Sequence, residues 1–176
     1  MEIQWEKWYL LGTDYEKDNG FTVINSINER VCQQGFPLTN QPTERTLSKV
    51  DVAKTQLDAA IQAYGRGEDV IAVTLAGAAE EIFGAMCRRQ NIQNAVDKIL
   101  EFPQLSVISS NPKKRIDFLN NVRNCLKHAN KPNEDVFVMT RLDSFVMIVR
   151  ALGNAELLGI SDSETMAKFR SGEFLK

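Results

Sequence analysis

From Thr46 onward, apolar residues recur at spacings of three and four positions, which is the repeat of an amphipathic α-helix. The first of these helices has Ser48 as its expected N-cap and ends at the turn 65–67. Its core-facing stripe consists of Leu47, Val50, Ala53, Leu57, Ala60, Ile61 and Tyr64. A chain of 176 residues, 43 % of them hydrophobic, can bury such stripes without disulfides or a structural metal. The pattern therefore predicts helices packed around one core.

The same repeat predicts four more helices and a short last one. Their expected ranges are about 68–90, 92–102, 111–129 and 134–158. The helix at 134–158 is apolar on most sides, so we expect it to be the central, most buried one. Ser161 and Glu164 form a capping box that begins the short last helix. The predicted fold class is all-α, an antiparallel bundle of four to five main helices with a short N-terminal extension.

The chain divides into three segments on this pattern. Residues 1–45 form an N-terminal extension whose sequence fits helix and strand alike, and residues 46–160 form the bundle. Residues 161–176 form a short C-terminal helix that is packed on the bundle or trails it. In the extension, we expect Trp5 and Trp8 to anchor the segment by packing rather than to form a ligand platform.

Cysteine and histidine usage argues against a disulfide framework and a metal centre. Cys32, Cys87 and Cys125 are odd in number, far apart and without a CxxC pair, which is typical of reduced thiols inside a cell. With His128 as the only histidine, they make a poor zinc set, so we predict no metal. No signal peptide, membrane span or Gly-rich phosphate loop is visible. We therefore expect a cytoplasmic protein without membrane contact or cofactor.

Charge is distributed unevenly along the chain. The 21 Lys and Arg against 23 Asp and Glu give a net charge of −2, which argues against a protein whose whole surface binds nucleic acid. Residues 112–132, however, carry six basic side chains and one acidic one. This is a local charge of +5, against −7 for the rest of the chain. The basic helix is either a solvated surface or a local phosphate site.

Four polar side chains share one face of the predicted helix at 111–129. At about 100° per residue, the helical wheel groups Arg123, Asn124, Lys127 and His128. Arginine is a permanently charged phosphate ligand, and histidine titrates near neutrality. Asn124 precedes His128 by four positions, so we expect its amide to orient the imidazole. Metal-free RNA cleavage needs these groups: an acid or base at the ribose 2′-hydroxyl or the leaving oxygen, and a cation on the phosphate.

The stretch from Arg123 to His128 resembles the signature of the HEPN superfamily (higher eukaryotes and prokaryotes nucleotide-binding domains). That signature is an arginine, a polar residue that is often asparagine, and a histidine a few positions further on. The run 78–83 is similar to the Ala-Ala-Glu stretch of an earlier HEPN helix, whose acid lines up with Glu80. HEPN domains are small antiparallel helical bundles. Many are dimeric, metal-independent ribonucleases of toxin–antitoxin, CRISPR and phage-defence systems.

The resemblance implies a homodimer that binds RNA and cleaves it without a metal. Arg123 would hold the phosphate, His128 would be the general acid or base, and Asn124 would orient it. The residues assigned to substrate binding are Lys127, Glu80 and Lys131. Because many HEPN domains are non-catalytic, the alternative is an interaction or accessory module of a defence or toxin–antitoxin system, with a protein partner.

Each of these residues also has a purely structural interpretation. A histidine at the C-terminal end of a helix is typical of a residue that caps the helix or complements its dipole. Arg123 equally fits an ion pair with Glu80, and Glu80 and Glu81 fit the solvated side of an amphipathic helix. A buried His128, remote from any cleft, would argue against both functional hypotheses.

Overall fold

The computed structural model describes residues 44–128 and 135–174, and among these it contains six α-helices, one 3₁₀-helix and no strand. The α-helices are α1 (Lys49–Gly65), α2 (Asp69–Arg89), α3 (Ala95–Leu100), α4 (Pro112–Cys125), α5 (Arg141–Leu157) and α6 (Glu164–Arg170). The 3₁₀-helix is Pro103–Val107. The predicted all-α class and helical bundle are confirmed. The predictions for Trp5, Trp8 and Lys131 lie outside the described residues.

Local sequence signals set the first helical hairpin. Ser48 accepts hydrogen bonds from the N–H groups of Val50 (3.2 Å) and Asp51 (3.4 Å), as predicted for an N-cap. The chain turns between α1 and α2 at Gly67, whose φ of 77° is a conformation that glycine adopts without strain. Because this connection is short, α1 and α2 are antiparallel neighbours.

α2 is the central helix, packed against both α1 and α5. The Ser144 hydroxyl at the start of α5 donates to Asp69 Oδ1 at the start of α2 (2.6 Å). Cys87 near the end of α2 donates to the carbonyl of Asn154 near the end of α5 (3.7 Å). α2 and α5 therefore run in the same direction, which the long connection between them allows, and α1 is antiparallel to both. The largest apolar side chains buried at this centre are Phe83, Leu57, Ile61, Ile148 and Met166.

α6 closes one end of the core with aromatic side chains. The Phe169 ring packs edge-on against Tyr64 of α1 (centroids 5.8 Å apart) and beside Phe145 of α5 (5.7 Å). Arg141 stacks over the Tyr64 ring, with its guanidinium carbon 3.9 Å from the ring centroid. Met166 and Phe169 are buried, so the last helix is packed on the bundle.

The prediction that the fifth main helix begins at residue 134 is wrong. α5 begins at Arg141, where Thr140 and Asp143 form a capping box and the Thr140 N–H donates to Asp143 Oδ2 (2.7 Å). Residues 136–140 have no helical structure, and the side chains of Val136 and Val138 are exposed. β-branched residues favour extended backbone, and apolar content alone does not distinguish an extended segment from a helix.

The other boundary corrections also follow from capping. α4 ends at Cys125 with Leu126 as its C-cap, instead of continuing to 129. α3 is shorter than 92–102 because the Asn94 side chain caps it from outside, accepting from the Val96 N–H (2.9 Å). The N-cap of α6 is Ser163 rather than Ser161. Each change moves a helix end by a few residues and leaves the order of helices as predicted.

The prediction that this fifth helix is the central one is also wrong, although its share of buried residues, eight of 17, is similar to that of α2, nine of 21. Leu142, Val146 and Val149 are 65 %, 36 % and 45 % exposed and form one stripe along α5. The central position belongs to α2, because it packs closely against both α1 and α5. α2 is also the one described helix whose length and mean hydropathy (1.6) would suffice to cross a membrane. Half of that window is buried inside the bundle, and core helices commonly meet the same criterion.

Candidate functional site

The basic helix α4 lies at the edge of the bundle and has no buried residue. Its start is set locally: Pro112 occupies the first turn, and Asn111 caps it by accepting from the Lys113 N–H (2.9 Å). Only a small part of α4 lies close to α2, and polar contacts join the two helices there. Those contacts gather around one carboxylate of α2.

That carboxylate is Glu80, whose two oxygens each contact an arginine from a different helix. Oε2 lies 3.3 Å from Arg123 Nη1 of α4, and Oε1 lies 3.2 Å from Arg150 Nη2 of α5. Glu80 is 5 % exposed and Arg150 is 2 % exposed. Charged groups this deep in a protein are tolerated when they are paired and hydrogen-bonded. The sequence-based alternative of a structural Arg123–Glu80 ion pair is therefore correct as a description of the contact.

Arg150 joins α5 to α4 as well as to α2. It donates from Nη1 to the Leu119 carbonyl and from Nη2 to Asn120 Oδ1, both at 2.9 Å. Burial lowers the pKa of Arg150 from its ordinary value, and the adjacent Glu80 carboxylate opposes that shift. An arginine stays charged under these conditions, so its burial depends on Glu80 as counter-charge.

Gly77 makes the approach of Arg123 to Glu80 possible. Gly77 lies one helical turn before Glu80, and a Cβ atom added there would lie 2.8 Å from Cδ of Arg123 and 3.1 Å from its Cγ. The arginine therefore runs over the bare backbone of α2 to reach the carboxylate. A side chain at position 77 would displace it.

A second, outer carboxylate covers the same arginine. Glu81 Oε1 lies 2.9 Å from Arg123 Nη1 and 3.6 Å from Lys127 Nζ. The exposed fractions of the three side chains are 12 % for Arg123, 36 % for Lys127 and 51 % for Glu81. The ion pairs thus form two layers, a buried one on Glu80 and a solvent-accessible one on Glu81.

Asn154 forms a hydrogen bond with the backbone of Glu80, the carboxylate of the inner layer. Its Nδ2 donates to the Glu80 carbonyl (3.4 Å), and its Oδ1 accepts from the Ala95 N–H at the start of α3 (2.7 Å). Asn154 is fully buried, so both of these groups need such partners. Through these two hydrogen bonds, Asn154 of α5 connects α2 and α3 next to Glu80, the residue that contacts Arg123 of α4.

His128 and Asn124 are both exposed, and His128 lies beyond the end of α4. The prediction that a continuous helix carries both is wrong, although the His128 N–H still donates to the Asn124 carbonyl at the helical i to i+4 spacing (3.1 Å). Within residues 44–128 and 135–174, no hydrogen bond joins the Asn124 amide to the imidazole. His128 is thus a surface residue that follows Lys127 in the chain, rather than a core residue.

The structure brings together three of the residues selected from the sequence, Arg123, Lys127 and Glu80. Asn124 and His128 are exposed and make no side-chain contact with this cluster among the hydrogen bonds and ion pairs of the described residues. The sequence analysis overlooked Gly77, Glu81 and Arg150 as parts of the site. One signal for Arg150 was present: it shares the core-facing side of α5 with Met147, Ala151 and Asn154 in the sequence pattern. A charged residue on such a side needs an acid opposite it.

Among the described residues, no group of three or more His, Cys, Asp or Glu side chains is arranged to hold a metal ion. Comparisons of the chain with protein-family models, curated proteins and solved structures find no match. The HEPN resemblance therefore rests on the residues themselves.

Proposed function

We propose that this chain is a HEPN-like RNA-binding protein that acts as a homodimer and cleaves RNA without a metal ion. The observation that carries the proposal is the convergence of Arg123 and Lys127 on one surface carboxylate oxygen, Glu81 Oε1, with the exposed His128 following Lys127 in the chain. Phosphate and carboxylate oxygens are the same kind of anionic acceptor for these cations. Glu81 in the free protein therefore stands in for an RNA phosphate.

The charges of the cluster support an anionic ligand. Three cations, Arg123, Arg150 and Lys127, surround two carboxylates, so the cluster has one positive charge in excess. If a phosphate displaced Glu81, Arg123 would keep Glu80 as its inner partner and stay in position. Glu80, which is buried, would act by positioning Arg123 and not by touching the RNA.

The proposed chemistry is transfer of the RNA phosphoryl group to its own 2′-oxygen. The 2′-hydroxyl gives up its proton as its oxygen attacks phosphorus, and the 5′-oxygen leaves and takes up a proton. The products are a 2′,3′-cyclic phosphate and a 5′-hydroxyl. His128 would transfer one of these protons, and Arg123 and Lys127 would stabilise the charge on the phosphoryl oxygens. A two-fold dimer would provide a second histidine for the other proton.

Incubating the purified protein with single-stranded RNA in EDTA tests the proposal. We expect cleavage that His128→Ala slows by about 10²- to 10⁴-fold, the usual contribution of general acid–base catalysis. Arg123→Ala should weaken both RNA binding and cleavage. Lys114→Ala is the matched control, because it removes one exposed positive charge from the first turn of the same helix, outside the cluster.

Cleavage that survives His128→Ala unchanged would contradict the catalytic role of this residue. A strict monomer in analytical ultracentrifugation would contradict the paired site, since one chain has one histidine.

One observation favours the alternative function, a non-catalytic interaction or accessory module of a defence or toxin–antitoxin system. Arg123 is already held by two carboxylates, and no hydrogen bond from Asn124 orients His128 in the described part of the chain. In this case the protein would retain RNA without cleaving it, and Arg123→Ala would abolish retention while His128→Ala would not.

A further inference from the structure

A groove of about 450 Å³ lies between the beginning of α1 and the outer face of α2. Its floor is apolar and belongs to one stripe of α2, made of Ala78, Ile82, Ala85 and Met86. Its rim carries three charged side chains, Lys49, Glu81 and Arg89. The groove therefore combines an apolar floor with two side chains that donate hydrogen bonds and one that accepts them.

Glu81 belongs both to this groove and to the ion-pair cluster. Its carboxylate contacts Arg123 and Lys127 on the α4 side, and the same residue lines the groove on the other side. A ligand whose phosphate displaced Glu81 from these cations would therefore enter the groove with whatever group is attached to that phosphate.

We propose that the groove binds a nucleobase of single-stranded RNA whose phosphate lies on Arg123 and Lys127, and that it selects guanine. This inference rests on the proposed RNA-binding function and extends it to base recognition. The volume suffices for one base, and the alanine and methionine side chains of the floor offer a surface for its flat face.

The charges around the groove favour a nucleic acid as the occupant. Lys49 and Arg89 on the rim add two positive charges to those of Arg123 and Lys127, and Glu81 is the one negative charge that lines the groove. Single-stranded RNA provides flat apolar groups joined by phosphates, which matches an apolar floor between cations.

The preference for guanine follows from the donors and acceptors on the rim. Guanine presents two adjacent donors, N1–H and the N2 amino group, which a carboxylate accepts together, and O6 and N7 as acceptors for arginine or lysine. Adenine and cytosine each offer one amino group, and uracil offers one N–H. Once phosphate replaces it on Arg123 and Lys127, Glu81 is released for the base, with Arg89 and Lys49 available for O6 and N7.

Binding of short RNAs to the full-length chain in EDTA tests this inference, in the His128→Ala background so that the RNA stays intact. The probes are fluorescently labelled hexauridylate and three hexamers with a single G, A or C at the third position. We expect the G-containing RNA to bind about tenfold more tightly than hexauridylate, the effect of one or two charge-assisted hydrogen bonds. The A and C probes should lie in between.

Two variants of neighbouring arginines provide the control. Arg89→Ala should remove most of the tenfold preference for G, because Arg89 lines the groove. Arg88→Ala removes the same charge one position away, outside the groove lining, and should leave the preference unchanged.

Glu81→Gln should bind hexauridylate more tightly than the parent does, since it frees Arg123 and Lys127, and should lose the preference for G.

The outcomes separate the two proposals. Guanine selection is overturned if all four probes bind equally, or if Arg88→Ala and Arg89→Ala have equal effects. The proposed RNA-binding function still stands in that case, provided that hexauridylate binds and that Arg123→Ala weakens its binding. If no probe binds, both proposals fail. Circular-dichroism melting of each variant measures whether it is folded at the assay temperature, which distinguishes a loss of binding from a loss of folding.

Discussion

Glu80→Gln is expected to lower the free energy of unfolding by about 3–5 kcal/mol, the usual effect of removing one partner from a buried ion pair. The amide keeps the shape of the side chain but leaves Arg150, which is 2 % exposed, without its counter-charge. Arg150 cannot escape by losing its proton, because a guanidinium stays charged. Arg123 would lose its inner partner at the same time.

Urea unfolding followed by far-UV circular dichroism measures this effect, and Glu81→Gln is its matched control. The two positions are adjacent on α2, and both contact Arg123, but the Glu81 side chain is 51 % exposed. Exposed ion pairs contribute about 1 kcal/mol or less, so the control should change stability within that amount. Similar effects of the two substitutions on the free energy of unfolding would contradict a stabilising role for the buried ion pairs of Glu80.

Gly77→Ala is expected to displace Arg123 and, if the proposed function holds, to weaken RNA binding as much as Arg123→Ala does, although the arginine is still present. The new methyl group would lie 2.8 Å from Arg123 Cδ, well inside van der Waals contact. Overpacking of this kind costs about 1–3 kcal/mol. Alanine in place of glycine within a helix recovers about 1 kcal/mol. We therefore expect a small net loss of stability and a large loss of binding.

A double-mutant cycle isolates the contact between these residues. In the Arg123→Ala background the obstacle is gone, so Gly77→Ala should become neutral or stabilising by up to about 1 kcal/mol. Gly153→Ala on α5 is the control, because its Cβ would meet Ala95 at 3.8 Å, an ordinary contact, and should be tolerated in either background. Equal effects of Gly77→Ala with and without Arg123 would contradict the proposed path of the arginine over α2.

Local signals were sufficient for much of the fold. The apolar repeat and the Ser48 cap correctly predicted α1 and α2 to within a few residues, and Asn111 with Pro112 correctly predicted the start of α4. These signals depend on residues within about one helical turn of each other, so they can be identified from the sequence without the tertiary structure. Where the signal was apolar content alone, as at 134–140, the helix prediction failed.

The candidate site was predictable only in part, for the same reason. Arg123, Lys127 and His128 stand close together in the sequence, and a short motif revealed them. Arg150 and Gly77 lie on other helices, and their roles appear only when those helices meet. The helical wheel treated α4 as continuous to 129 and grouped Arg123 with Asn124, Lys127 and His128 on one polar face. In the structure Arg123 is directed into the bundle.

The sequence by itself determined the helices and the place of the basic segment, because backbone preference and apolar spacing act over a few residues. The tertiary structure decided which carboxylate each cation meets and which ion pairs are buried. It thereby separated a structural layer on Glu80 from an accessible one on Glu81. That distinction depends on desolvation, which is a property of the packed helices and not of any single segment.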